Sequence, residues 1–172
     1  MRALAVGLLI LPFGCREGPS QALDGPGTVS VEWVASQTGR FAVRPEVSWC
    51  RADTKLEILA FHGDTAFGLT LFPQDSIRVG QFPLVSAAVS SNWRPLGFGA
   101  LRLASDSVNV GFEATSGTVH VTRADSGLVS GTIAARFRRV DGPDTLKVTG
   151  KFVDLKILPA EGQCGRVFKP RR

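Results

Sequence analysis

The 172 residues contain no tyrosine, one methionine, two histidines and three cysteines. His62 and His120 are therefore the only side chains whose ordinary chemistry switches near neutral pH, and acid–base catalysis has few candidates. No GxSxG, HExxH, GxxxxGK(S/T) or EF-hand spacing occurs. Hydrolase elbows, zinc-protease helices, phosphate loops and calcium loops are thus left without a frame. The longest apolar run, Ala3 to Phe13, has 11 residues, well short of the roughly 20 that span a bilayer as a helix. Beyond it no stretch of ten or more residues keeps a helical period.

The run that is present sits at the start of the chain. Arg2 precedes it and Gly14-Cys15 ends it, the order of a secretory signal in residues 1–14. A small residue before Cys15, followed by Arg16-Glu17-Gly18-Pro19, resembles the lipobox of bacterial lipoproteins. Pro12 and Phe13 depart from it, standing where Leu and a small residue are usual, with Leu11 one step early. The resemblance implies cleavage before Cys15, acylation of its thiol (diacylglyceryl and palmitate) and attachment of an exported chain to a membrane. Arg16 in second place carries no Asp-type inner-membrane retention signal, so the outer membrane is preferred. Residues 15–27, with their Gly, Pro and Ser, read as a tether.

With Cys15 acylated, Cys50 and Cys164 remain as an even pair in an oxidising compartment, where a disulfide is expected. Neither has a second ligand two to five residues away, so no metal or other cofactor is expected. The formal charge is +5, from 20 basic and 15 acidic residues. Arg2 lies in the leader and Arg166, Lys169, Arg171 and Arg172 in the tail at 165–172, which leaves fifteen basic against fifteen acidic residues between them. That balance argues against a nucleic-acid partner.

Residues 28–164 read as one domain of strands. Val29, Val31, Trp33 and Ala35 alternate with polar neighbours, as do Val108, Val110, Phe112 and Ala114. Lys55 to His62 is apolar on both faces for part of its length, and Ala66 to Phe72 puts Phe67, Leu69 and Leu71 on one face. Turn candidates are His62 to Thr65, Ala124 to Gly127 and Val140 to Asp144. Around the second, Val119 and Val121 face Val129, Gly131, Ile133, Ala135 and Phe137 in a long hairpin. The last strand begins with Leu146 and Val148 inward and continues with Val153, Leu155 and Ile157, of opposite parity. This predicts a β-bulge between Gly150 and Val153. The fold expected is all-β: a single antiparallel β-sandwich or flattened β-barrel of about eight to ten strands.

Ser116-Gly-Thr-Val-His-Val-Thr-Arg-Ala-Asp125, Val129-Ser-Gly-Thr-Ile133 and Val148-Thr-Gly-Lys-Phe-Val-Asp154 together resemble the C-terminal signature of a group of uncharacterised bacterial lipoprotein domains. Lys55 to Leu71 and Ile77 to Phe82 resemble its middle strands more loosely. Thr149-Gly150 departs from the Asn-Gly frequent there. The likeness implies an all-β surface lipoprotein and assigns no activity.

Recognition is expected in Gln81 to Ala100, where Trp93, Arg94 and Phe98 sit among Pro and Gly. Trp33 and Trp49 read as core. Asp125, Asp141 and Asp144 could hold calcium if their loops met at one end of the domain; turn chemistry explains them without metal. The expected function is a surface-anchored, non-enzymatic binding module for an envelope protein or polymer. A lipocalin-like carrier of a small apolar ligand is the alternative, since Gly131, Ala135 and Ala114 are small enough to leave space inside or merely to let two sheets approach, and a hydrolase is a remote one.

Overall fold

The computed structural model describes residues 25–34, 38–88, 94–105 and 108–160. The leader, Cys15, most of the tether, Trp93, Cys164 and the basic tail lie outside the described residues. The described chain is built of strands: β1 (Thr28–Val34), β2 (Thr38–Val43), β3 (Glu46–Cys50), β4 (Lys55–His62), β5 (Thr65–Phe72), β6 (Gly80–Pro83), β7 (Leu96–Ser105), β8 (Val108–Asp125), β9 (Leu128–Arg139), β10 (Thr145–Lys156) and β11 (Leu158–Ala160).

They form one sheet in the order β11-β3-β4-β5-β7-β8-β9-β10-β1-β2, with β6 also paired to β8. The sheet is antiparallel except for β11, which lies parallel to β3, and one isolated parallel bridge between Leu84 and Gly97. It curls into a half-barrel whose ends are joined through the chain. β2 ends one edge and β3 lies beside the other, yet only Arg44 and Pro45 separate them. Proline has no N–H to give a ladder, so the extended chain can leave β1 at this corner and continue against β4. Past the β3 pairing, the ring of His62 on β4 stacks on Phe41 of β2, with centroids 6.2 Å apart and planes 7° apart.

Two-residue alternation sends one side of each strand to a shared core containing Val29, Val31, Leu56, Ile58, Phe67, Leu69, Val119, Ile133, Phe137, Val148 and Phe152. The small inward residues seat aromatic rings. A Cβ on Gly131 would lie 2.5 Å from Phe152 Cζ, and one on Gly99 would lie 2.9 Å from Phe137 Cζ and 3.2 Å from the Ala114 methyl. At Gly131 and Ala114 the small side chains thus allow close approach of rings rather than leave open space. Trp33 and Trp49 are half-buried at the margin of the core.

The hairpin at Asp125 is as expected. Asp125 pairs with Leu128, and the two residues between, Ser126 (φ 50°) and Gly127 (φ 73°), take the left-handed conformations of a type I′ turn. The bulge in β10 exists but lies two residues later than predicted, between Phe152 and Leu155. Phe152 keeps the phase of Val148 so that its ring can cover Gly131, and Asp154 takes the strain at φ 47°. Ser130 holds it there: its hydroxyl accepts from the Asp154 N–H at 2.8 Å and donates to Asp154 Oδ1 at 3.1 Å. Arg123, at a matching register shift in β8, donates to the same oxygen at 2.7 Å. Ser130→Ala should cost about 1 kcal/mol by leaving a half-buried N–H unmet. Urea titration checks this; an unchanged midpoint would mean that Ser130 does not hold the bulge.

Candidate functional site

One end of the half-barrel carries the connections β1–β2, β4–β5, β7–β8 and β9–β10. The other carries the Arg51–Thr54 turn, the segment 73–79, the β8–β9 turn and the β10–β11 junction. At this second end lies a cleft of about 480 Å³. Trp49, Ile77, Ile157 and Pro159 supply its apolar lining, and Arg51, Thr54, Asp75 and Ser76 its polar rim.

Local sequence explains each wall. The bulge at Asp154 resets the phase of the last strand, so Ile157 is half-buried and turned to the cleft while Leu155 remains in the core. The Ile157 N–H then donates to Gly127 O at 2.8 Å, tying the β8–β9 turn to the β10–β11 junction. Pro159 opposes Trp49 across the parallel β11–β3 ladder. Beside this wall, Arg123 reaches Asp125 at 3.0 Å and Asp154 at 2.7 Å. The hydrogen bonds from Arg123 hold the Asp125 carboxyl below its ordinary value, so the brace stays charged through neutral pH.

Such a cleft suits a guest with an apolar body and polar ends. Its volume lies within the roughly 300–1,000 Å³ of ordinary ligand sites. No family model matches the chain. Searches of curated proteins and of solved structures likewise give no match.

Of the binding residues singled out from sequence, Trp93 lies outside the described residues, and Arg94 and Phe98 lie elsewhere than the cleft. Phe98 and Phe72 alternate with the core-side Gly97, Gly99 and Leu71, which places them on the convex face. Their rings meet edge to face at 5.4 Å, and the Arg94 guanidinium stands 4.7 Å above Phe72. Arg94 Nη1 is buried without a hydrogen-bond partner among the described residues. Arg94 and Phe98 are thus brought together, through a Phe72 that the sequence did not mark. His62 stacks on Phe41, and His120 is exposed on β8 opposite Thr132.

The condition for a calcium site, that the three aspartate loops meet at one end, is not met. Asp125 is at one end of the β8–β9 hairpin, whereas Asp141 and Asp144 clasp Arg139 at the other, at 2.7 and 3.3 Å. Among the described residues no group of three His, Cys, Asp or Glu could hold a metal. The cleft was missed because Trp49 and Ile77 stand far apart in sequence, Trp49 reading as core. The phase change that puts Ile157 on the same side as the buried Leu155, at the edge of the core, was its one legible signal.

Proposed function

We propose that this chain is an exported lipoprotein, anchored through Cys15, that serves as a binding module and holds an envelope partner at the rim cleft. The observation that carries this reading is the filling of the interior by Phe67, Phe137 and Phe152, each 0–1 % exposed, beside an open cleft at one end. The resemblance to surface lipoprotein domains and the leader before Cys15 support the address. A disulfide between Cys50 and Cys164 belongs to the same proposal. Ala160 lies opposite a fully buried Cys50, and Cys164 follows four residues later, within about 14 Å of extended chain.

A second reading, carriage of a small apolar ligand, is favoured by the size of the cleft rather than by any space inside the barrel. Either way the cleft is the site, and blocking it is the test. Ser76 is exposed, so Ser76→Trp should change stability by less than about 0.5 kcal/mol while obstructing the cleft. In cells carrying the full chain, chemical cross-linking to the partner should fall about tenfold or more for Ser76→Trp and stay unchanged for Thr122→Trp on the convex face. Equal cross-linking in the two variants would contradict the assignment. Cys15→Ser should move the protein out of the membrane fraction; retention there would remove the anchor.

A further inference from the structure

Charge is balanced along the sequence but not around the barrel. β9 and β10 pair as Arg138 with Thr145, Arg136 with Lys147, Ala134 with Thr149 and Thr132 with Lys151. All eight side chains are exposed, because their neighbours Phe137, Ala135, Ile133 and Gly131, and Leu146, Val148, Gly150 and Phe152, take the core side. These eight positions hold four cations, three threonines and one alanine, and no carboxylate.

The centre of the face is the least compensated. Arg136 and Lys147 stand directly opposite each other, flanked by Ser116 on β8 and Val34 on β1. Like charges in that position destabilise a sheet. Two acids border the face: Glu113 accepts from Ser86 at 3.0 Å and lies 3.8 Å from Arg138, and Glu32 on β1 stands opposite Thr149, one step along from Lys147 and Lys151. Such an arrangement costs the free protein stability and repays it when an anion covers the row.

We propose that the convex face of β9 and β10 docks a linear acidic polysaccharide laid along the strands. The positive rows extend about 20 Å at the rise of antiparallel strands, which is long and narrow rather than a point site. Arginine at Arg136 and Arg138 can fork onto carboxylates, and the threonine hydroxyls at 132, 145 and 149 suit sugar hydroxyls between the charges. The face has no aromatic side chain on which bases of a single-stranded nucleic acid would stack. Apart from Val34 at its border it has no large apolar residue to enter a bilayer. This surface is separate from the rim cleft, so either can fail without the other.

The test is calorimetric titration of the full chain with oligogalacturonate, at low and at high NaCl. The wild type should bind, with affinity falling as salt screens the face. Arg136→Gln/Lys147→Gln should bind about tenfold more weakly or worse at low salt, with a thermal midpoint no lower than the wild type's and slightly raised by loss of the like-charge pair. Ser76→Trp should bind like the wild type. Equal affinity of the double variant and the wild type would overturn the proposal and point to the basic tail. Binding of single-stranded oligonucleotide or phosphatidylglycerol vesicles as tightly as oligogalacturonate, with the same dependence on Arg136 and Lys147, would overturn the choice of polysaccharide.

Discussion

Phe137→Ala should destabilise the protein by about 3–5 kcal/mol, and Gly99→Ala by about 1–3 kcal/mol, yet the pair together should cost less than the sum. Phe137 is fully buried, and its ring occupies the space above Gly99 and Ala114. Removing the ring loses its transfer free energy and leaves a cavity that the curled sheet cannot collapse. Adding a methyl at Gly99 drives carbon to 2.9 Å from Phe137 Cζ, closer than real contacts allow. Every close neighbour of that methyl is a side chain, and the glycine has no positive φ, so the penalty is steric and belongs to the Phe137 ring. In the Phe137→Ala background the methyl enters vacated space. Urea unfolding of the four proteins should therefore give a favourable coupling of about 0.5–3 kcal/mol. Strict additivity would mean that the ring is not seated on the glycine.

The second large effect concerns Cys50. Cys50→Ala, and equally Cys164→Ser, should lower stability by about 2–5 kcal/mol, because a link closing more than a hundred residues restricts the unfolded chain strongly. The wild-type midpoint in urea should fall on adding reductant, and the variants should be insensitive to it. The geometry behind the expectation is β11, whose parallel pairing on β3 carries the chain to Cys50 and supplies Pro159 to the cleft. Loss of the link should therefore loosen the cleft as well as the fold. A wild-type midpoint unaffected by reductant would dismiss the disulfide.

Strand identity was legible where apolar and polar residues alternate, and also where a short apolar run is bounded by turn residues. Lys55 to His62 is β4, residue for residue, and the Asp125-Ser126-Gly127 turn joins β8 to β9. The phase change in the last strand was legible too, but its position was not. Both Phe152 and Val153 are apolar, and the choice between them was made by Gly131 on the next strand, which alone admits the Phe152 ring. A similar phase change between Ala114 and Val119 went unread, so two expected strands proved to be one bulged strand, β8, with β7 beside its first half and β6 beside its second. The cleft and the basic face were hidden for a common reason. Arg136 and Lys147 become neighbours only through register, and Trp49, Ile77 and Ile157 only through the curl of the sheet.

The central proposal is a lipid-anchored half-barrel, its core filled by Phe67, Phe137 and Phe152, that binds its partner at the rim cleft. It is tested most directly by the intact mass of the full-length protein extracted gently from membranes, recorded under native conditions and again after denaturation and reduction. The expected species begins at Cys15, carries diacylglyceryl and acyl groups, gains two hydrogens on reduction and releases no stoichiometric small molecule when unfolded. An unlipidated chain, or a bound apolar molecule released only on denaturation, would contradict it.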